Sequence, residues 1–189
     1  MEVKLIHTCP PLLTNTYLFD CGNSLAVVDP GSNAEKIVSI AERIGKPIRF
    51  ILLTHAHWDH VGAVSTLQKQ GAKVYVHKTE LKIIANFVPD FLIEDGSMLT
   101  LDEVTVQVVH TPGHTAGGVC YIIGDTMFSG DTLFYLEIGR CDLPTGNFDT
   151  MKKTLQKLFA LKNNYRILPG HGKETTLNFE RLNNPYREG

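Results

Sequence analysis

A short segment rich in metal-binding side chains, residues 54–60, follows an apolar run of the chain. It reads Thr-His-Ala-His-Trp-Asp-His and contains His55, His57, Asp59 and His60. The preceding Phe-Ile-Leu-Leu predicts the end of a buried strand. Because alternate residues of a strand share a face, we expect His55 and His57 to converge on one ion, with Asp59 and His60 just past the turn. The segment therefore predicts a metal site.

Three later residues of ligand type follow predicted strands in the same manner. His114 lies in Thr-Pro-Gly-His-Thr, Asp131 in Phe-Ser-Gly-Asp-Thr and His171 in Leu-Pro-Gly-His-Gly. Each of them taken singly is typical of an ordinary turn, because glycine and proline favour turns. Taken together, they place metal-binding side chains at strand ends, where α/β proteins carry their sites.

The combined set of donors indicates more than one ion. The candidate ligands are His55, His57, Asp59, His60, His114, Asp131 and His171. Five imidazoles and two carboxylates suit zinc, iron or manganese better than calcium. Seven donors exceed the need of one tetrahedral ion and suit two divalent ions about 3.5–4 Å apart, a spacing found in two-metal hydrolytic sites. A carboxylate could bridge such a pair.

The elements that must position these residues alternate between strands and helices. Strands are predicted at residues 3–8, 16–19, 24–28, 49–53, 73–76, 98–101, 104–110, 119–123, 126–129 and 166–168. Helices are predicted at residues 34–44, 60–70 and 150–161, with a helix and an irregular stretch within 77–97 and a short polar tail from Glu174. This alternation predicts an α/β fold and is compatible with two similar sheets lying face to face.

Composition narrows the class of protein. The chain has 189 residues, 43% of them hydrophobic and 20% charged, which suits one soluble domain. A net charge of −2 offers no electrostatic footprint for nucleic acid or an anionic membrane. The sequence has no apolar run long enough for a membrane helix and no start typical of a signal peptide, so we expect a cytoplasmic location. We expect the protein to be a monomer or a homodimer. The four cysteines form no Cys-x-x-Cys pair and are predicted to be free thiols.

The motifs, in this order, resemble those of the metallo-β-lactamase fold superfamily. The resemblance extends over about residues 15–171 and includes Val-Val-Asp-Pro-Gly at 27–31. Phe-Ser-Gly-Asp-Thr-Leu-Phe, Gly-Arg-Cys-Asp-Leu-Pro-Thr-Gly-Asn and a closing Asn-Pro-Tyr resemble the glyoxalase II group, particularly its short bacterial members. The resemblance implies an αββα sandwich of two mixed β-sheets flanked by helices. We expect residues 1–189 to form a single metallo-hydrolase domain without the C-terminal helical segment of full-length glyoxalase II.

The resemblance also implies how the ligands are shared. His55, His57 and His114 would hold the first metal, and Asp59, His60 and His171 the second, with Asp131 bridging. Asp59 could also take part in proton transfer. Asp29 would orient a ligand imidazole through its other nitrogen. An equally good interpretation makes Asp29 a simple turn residue before Pro-Gly.

The activity implied is hydrolysis of a thioester such as S-lactoylglutathione. A metal-bound hydroxide would attack the thioester carbonyl, and the thiolate would leave without a strong general acid. Arg140 and Cys141 are candidate substrate contacts in the 139–147 loop, because the chain lacks the basic C-terminal segment that binds glutathione in full-length relatives. A structural salt bridge for Arg140 and a structural role for Cys141 are the alternatives.

Other activities of the superfamily compete with this hypothesis. A persulfide dioxygenase would hold one iron with His55, His114 and Asp131, leaving positions open for oxygen. A lactonase would use the same hydroxide on a cyclic ester. A β-lactamase would usually be exported, a nuclease would show a basic face, and a non-catalytic scaffold would have lost ligands. The residues favour the hydrolase.

Overall fold

Two six-stranded sheets form the centre of the structure, a computed structural model that describes residues 2–7 and 13–187. The predicted strand 3–8 therefore ends one residue outside the described part, and Cys9 lies outside it. Among the residues described, no helix is long and apolar enough to cross a membrane.

The first sheet is mixed, antiparallel on one side and parallel on the other. Its strands are β1 (Val3–His7), β2 (Asn15–Asp20), β3 (Leu25–Val28), β4 (Ile48–Leu52), β5 (Lys73–His77) and β6 (Phe91–Ile93), in that order. Pairing is antiparallel from β1 to β3 and parallel from β3 to β6. Its helices are α1 (Ala34–Ile44), α2 (Trp58–Val61) and α3 (Val64–Lys69), and a 3₁₀ helix, Lys78–Lys82, follows β5.

The second sheet is also mixed. Its strands are β7 (Met98–Leu101), β8 (Val104–His110), β9 (Val119–Ile123), β10 (Thr126–Gly130), β13 (Arg166–Pro169) and β14 (Thr175–Thr176), in the order β14-β13-β10-β9-β8-β7. Only the β10–β13 pair is parallel. A separate hairpin of β11 (Leu133–Phe134) and β12 (Glu137–Ile138), with helices α4 (Phe148–Phe159) and α5 (Leu177–Asn183), completes this half.

Three apolar layers hold the sandwich together. Between the sheets, Phe128 of β10 stacks on Phe19 and meets Tyr17 edge to face, both from β2, with ring centroids 5.7 and 5.5 Å apart. Helices α1 and α3 bury their apolar faces on the outer side of the first sheet. Helix α4 does the same on the second sheet. This helix–sheet–sheet–helix order confirms the αββα prediction.

The helix predicted over residues 60–70 is interrupted, and the turn after β3 explains the break. The Ala63 N–H donates to the Pro30 carbonyl at 2.9 Å and so leaves the helical ladder. A Cβ on Gly62 would lie 2.2 Å from the Gly31 carbonyl oxygen. Glycine at 62 therefore lets the Asp-Pro-Gly turn approach the backbone between α2 and α3, which sets the position of α2.

Several short elements differ from the sequence prediction. The segment after β5 forms a 3₁₀ helix followed by an edge strand, β6, which was predicted as irregular. The tail predicted to be merely polar forms β14 and α5, and the Thr176 hydroxyl caps α5 by accepting from the Phe179 N–H. Helix α5 buries Leu177, Glu180 and then Asn184 just past its end. Hydrophobic periodicity misses it because two of these three buried residues are polar.

Candidate metal centre

The predicted ligand residues come together at one edge of the sandwich. They lie in four segments, each beyond the carboxyl end of a strand: after β4 (His55, His57, Asp59 and His60), β8 (His114), β10 (Asp131) and β13 (His171). The expectation that strand alternation aligns His55 with His57 is wrong in one respect, because β4 already ends at Leu52. The loop after β4 turns both rings inward, and their centroids lie 4.8 Å apart.

His55, His57 and His114 form the first candidate ligand group. One ring nitrogen of each lies within 4.8 Å of the others, and His57 Nδ1 is 2.8 Å from His114 Nε2. Burial and the neighbouring imidazoles hold the pKa of His55 well below its usual value. Burial and His114 lower the pKa of His57 to about 4. Both imidazoles are therefore neutral near pH 7 and keep a nitrogen lone pair for a metal.

Asp59, His60 and His171 form the second candidate group. Asp59 Oδ2 lies 3.5 Å from His60 Nε2 and 3.2 Å from His171 Nε2. Burial lowers the pKa of His60, but the carboxylates of Asp131, Asp29 and Asp59 outweigh it and raise the value to about 9. Carboxylates thus lie close enough to the His60 imidazole to stabilise a positive charge there, whether a proton or a metal ion.

Asp131 lies between the two groups. Its Oδ1 is 3.4 Å from His60 Nε2, and its Oδ2 is 3.5 Å from His114 Nε2 and 3.6 Å from His171 Nε2. A Cβ on Gly170 would lie 2.2 Å from Asp131 Oδ1, so glycine at 170 leaves the carboxylate its room. One oxygen of Asp131 therefore faces the second group while the other faces both, as a bridging ligand requires.

The buried polar atoms at this edge fit bound cations. His55 Nε2, His60 Nε2 and Asp131 Oδ1 are buried and have no hydrogen-bond partner among the described residues. Leaving such an atom unsatisfied costs about 1–3 kcal/mol. The 3.2–3.6 Å separations around Asp131 and Asp59 also match the edges, about 3.3 Å, of a tetrahedron with metal–ligand distances near 2.0–2.1 Å. The donor set and its spacing thus suit two metal ions.

Asp29 orients one imidazole from each group. Its Oδ2 accepts from His60 Nδ1 at 3.0 Å and from the Thr54 hydroxyl at 2.6 Å, and its Oδ1 accepts from the Thr54 N–H at 2.8 Å. The Thr54 oxygen in turn lies 3.1 Å from His55 Nδ1. These bonds fix which ring nitrogen of His55 and His60 faces the centre. Asp29 also serves as the turn residue before Pro-Gly, which was the alternative interpretation of its role. Its backbone lies in the left-handed region, with φ 48°.

Contacts between distant segments hold other candidate ligands in place. The Asn15 amide donates to the carbonyls of Pro169 and Gly172, at 3.0 and 2.8 Å, on either side of His171. The His114 Nδ1 donates to the Arg140 carbonyl at 2.7 Å. No sequence spacing signals the Asn15 contact, because its partners lie more than 150 residues away along the chain.

Glu80, in the 3₁₀ helix, connects the two loops that carry the first group. Its Oε2 accepts from the Ala56 N–H and its Oε1 from the Gly117 N–H, each at 2.8 Å. Ala56 separates His55 from His57, and Gly117 follows His114 by three residues. Glu80 is only 1% exposed. The sequence does not single out this residue, because a glutamate within a polar helical segment is typical of a solvated surface.

An open groove of about 650 Å³ leads to the candidate ligands. Besides five of the ligands, its lining residues are Trp58, Ile83, Phe134, Gly139, Arg140, Leu143 and Pro144. Arg140, a predicted substrate contact, is therefore placed at the groove, where it also makes the salt bridge of the alternative interpretation. Its Nε and Nη2 donate to the two oxygens of Asp142, both at 2.7 Å.

Cys141, the other predicted substrate contact, lies outside this lining. Its thiol donates to the Gly139 carbonyl at 3.3 Å, and the side chain packs against the apolar layer under α4. Burial raises the pKa of the Cys141 thiol, so the thiolate is disfavoured. The structural alternative therefore describes Cys141 better than substrate contact does.

Relatives of known sequence and neighbours of known structure resemble this chain over most of its length. A hydroxyacylglutathione hydrolase, GloC, from Haemophilus influenzae is 32% identical, over 98% of each chain. The crystal structure of TTHA1623 in a di-iron-bound form is 34% identical with a TM-score of 0.88, covering 97% of this chain and 99% of that one. The BLEG-1 B3 metallo-β-lactamase is 30% identical with a TM-score of 0.90 over the whole of both chains.

The family model for the metallo-β-lactamase superfamily matches residues 9–171. This range includes all seven candidate ligands and ten of the twelve strands of the two sheets. With four loops delivering histidine and aspartate to one edge of an αββα sandwich, the chain belongs to the metallo-β-lactamase superfamily.

Proposed function

We propose that this protein is a two-metal hydrolase that cleaves a thioester, with hydroxyacyl thioesters such as S-lactoylglutathione as the substrate class. The observation that carries the proposal is the position of Asp131, with one oxygen toward His60 and the other toward His114 and His171. The hydroxyacylglutathione hydrolase among the relatives supports the choice of substrate class.

The ligand assignment follows the two groups. His55, His57 and His114 hold one ion, Asp59, His60 and His171 hold the other, and Asp131 lies between them. Zinc is the ion we expect first, with iron and manganese as alternatives for the same donors. Bound there, two divalent cations supply a hydroxide nucleophile near neutral pH and stabilise the developing oxyanion.

The chain's own residues account for the remaining requirements of the reaction. The groove at Trp58 and Phe134 holds the substrate against the ligands. Asp59, which also lines the groove, is a candidate for moving the proton of the attacking water. The water oxygen forms the new C–O bond, the C–S bond breaks, and a carboxylic acid and a thiol leave. Because a thiolate is a good leaving group, this chemistry needs no additional general acid.

Two rival activities use the same edge of the fold. A persulfide dioxygenase needs one iron and three ligands, whereas this chain keeps a full second group in Asp59, His60 and His171. A β-lactam hydrolase, favoured by the structural neighbour of that class, must expel an amide nitrogen and so needs a proton donor. The thioester is therefore the substrate that these residues suit best, and a lactone the next.

The test is hydrolysis of S-lactoylglutathione by zinc-reconstituted protein, with metal content measured on the same sample. We expect turnover that a chelator abolishes and that Asp131→Asn reduces at least 100-fold, with fewer than two ions retained per chain. Asp125→Asn is the matched control, because Asp125 is exposed at the opposite end of β10. Unchanged turnover in folded Asp131→Asn would refute the mechanism. Oxygen uptake with an iron-loaded sample and a persulfide, or β-lactam cleavage without thioester cleavage, would favour a rival.

A further inference from the structure

The groove beside the candidate ligands has mostly apolar walls. Trp58, Ile83, Leu143 and Pro144 line it, and Phe134 lies on the side of His171. Trp58 is 69% exposed, which is unusual for the largest apolar side chain, and it sits between the ligands His57 and Asp59 in sequence. A large ring held open at the mouth of a site offers contact area to a bound molecule.

Positive charge is scarce along the same walls. Arg140 is the one cationic side chain among the described residues that line the groove, apart from the histidines. Its Nε and Nη2 already donate to the two oxygens of Asp142, at 2.7 Å each. Lys173, beyond Phe134, has its ammonium 3.5 Å from the centre of the Tyr135 ring. A carboxylate entering the groove would therefore meet a guanidinium whose charge Asp142 already offsets.

From these two observations we infer that the groove selects thioesters whose thiol portion is uncharged and apolar, in preference to the doubly carboxylated glutathione. The inference rests on the proposed thioester hydrolysis and narrows its substrate class. Each methylene removed from water against such walls favours binding by about fourfold. An anionic thiol portion gains little from these walls and loses hydration at its carboxylates.

The test varies the thiol while keeping the acyl group constant. Zinc-loaded protein is given the lactoyl thioesters of glutathione, of N-acetylcysteamine and of benzyl thiol, and each rate is divided by that thioester's rate of hydrolysis by free hydroxide. We expect kcat/KM for the benzyl thioester to exceed that for S-lactoylglutathione at least tenfold, mainly through KM. Equal values, or an advantage for glutathione, would overturn the inference while leaving thioester hydrolysis intact.

Two variants assign the preference to named residues. Trp58→Ala is expected to reduce kcat/KM for the benzyl thioester about tenfold and that for S-lactoylglutathione less than twofold. Leu182→Ala is the matched control, because Leu182 is a large apolar side chain, 72% exposed, outside the groove lining. Asp142→Asn removes the carboxylate that pairs with Arg140. It should therefore reduce the difference in kcat/KM between the benzyl thioester and S-lactoylglutathione. Equal losses on both substrates in Trp58→Ala would count against the apolar wall.

Binding can also be followed without turnover, since Trp58 is the only tryptophan of the chain. The metal-loaded protein is titrated with S-benzyl-N-acetylcysteamine and with S-benzylglutathione, thioethers that cannot be hydrolysed, and tryptophan fluorescence is recorded. The uncharged thioether should saturate at a concentration at least fivefold lower, and the reverse order would overturn the inference. If protein with two ions per chain hydrolyses none of the three thioesters, the proposed function fails, which is a different result from a preference for glutathione.

Discussion

At the scale of single residues, Asp29 shows how one carboxylate contacts two candidate ligand groups. It accepts directly from His60 and, through the Thr54 hydroxyl, is linked to His55. Its left-handed backbone, φ 48°, is a conformation that aspartate and asparagine tolerate better than most residues. The turn before Pro-Gly and the orientation of the imidazoles are thus two consequences of the same residue.

Asp29→Asn is expected to weaken metal binding without unfolding the protein. Asparagine keeps the shape and tolerates the backbone, but its neutral amide replaces the carboxylate that accepts from His60 and Thr54. Loss of such an orienting contact typically lowers metal affinity 10–100-fold. Zinc affinity, measured by competition with a chelator, checks this.

Asp102→Asn is the control for that substitution, because Asp102 has nearly the same backbone, φ 50°, in the turn between β7 and β8. It should leave zinc affinity within twofold of the unmodified protein. Equal affinities for Asp29→Asn and Asp102→Asn would show that Asp29 acts only as a turn residue.

At the scale of elements, short and irregular pieces hold the loops that carry the ligands. The 3₁₀ helix after β5 places Glu80 between the loop of His55 and His57 and the loop of His114. The hairpin β11–β12 and helix α5 are joined by Glu180, which accepts from the Leu136 N–H and the Asn184 amide. The regular strands form the framework of the fold, whereas the 3₁₀ helix, the β11–β12 hairpin and α5 set the geometry of the candidate metal centre and its groove.

Glu80→Gln should destabilise the protein and weaken metal binding at the first candidate ligand group. Glutamine can accept one N–H through its oxygen, but its amide nitrogen would face the other buried N–H. We expect the free energy of unfolding to fall by about 2 kcal/mol, as for a buried unsatisfied group. Urea unfolding with and without zinc measures this loss. Glu94→Gln, at an exposed position, is the control and should change it by less than about 0.5 kcal/mol.

Because a general loss of stability would lower activity too, a second measurement separates positioning from folding. If Glu80 positions the ligand loops, zinc affinity of the folded Glu80→Gln protein should fall even at a temperature where both proteins are fully folded. Unchanged affinity would limit Glu80 to a structural role.

Asn184→Ala tests the attachment of α5. The Asn184 amide donates to Glu180 Oε2 at 2.8 Å and to the Glu137 carbonyl at 3.3 Å, and both contacts are lost on substitution. Thermal or urea unfolding should show a decrease of about 2 kcal/mol. The neighbouring Asn183→Ala, at an exposed site, should cost less than about 0.5 kcal/mol. Equal effects in the two variants would argue against the role of this buried network.

At the scale of the whole molecule, the candidate centre connects the two halves of the sandwich. His55, His57, Asp59 and His60 follow a strand of the first sheet, whereas the remaining ligands follow strands of the second. An ion shared between the halves exists only when they are docked, so its binding free energy adds to the stability of the folded state.

Removing the metal should therefore lower the melting temperature of the whole protein. At a free metal concentration about 1,000 times Kd the stabilisation is about 4 kcal/mol, which for a chain of this size corresponds to roughly 8–16 °C. Calorimetry before and after dialysis against a chelator measures the shift. In Asp131→Asn, the shift in melting temperature on metal removal should be much smaller. An unchanged melting temperature after verified metal removal would contradict a centre shared between the sheets.

The sequence by itself was sufficient for the fold and for a list of candidate ligands. Strand periodicity and the Pro-Gly turns are local signals, and the ordered motifs around His55, His114, Asp131 and His171 carry the resemblance to the superfamily. The family match and the αββα layers confirm the predicted fold. Local patterns succeed here because a strand followed by a tight turn is specified by neighbouring residues.

Only the tertiary structure decided how the side chains meet. The folded chain reveals the break at Gly62, the link from Asp29 through Thr54 to His55, the contacts of Asn15, the bridge made by Glu80 and the pairing of Arg140 with Asp142. Most of these contacts join segments distant in sequence. In the folded chain, buried polar residues such as Asn15 and Glu80 form hydrogen bonds with other loops, although the sequence alone suggests that they are solvated. Periodicity reports which face of an element is apolar, and it carries no information about which loops of two packed sheets touch.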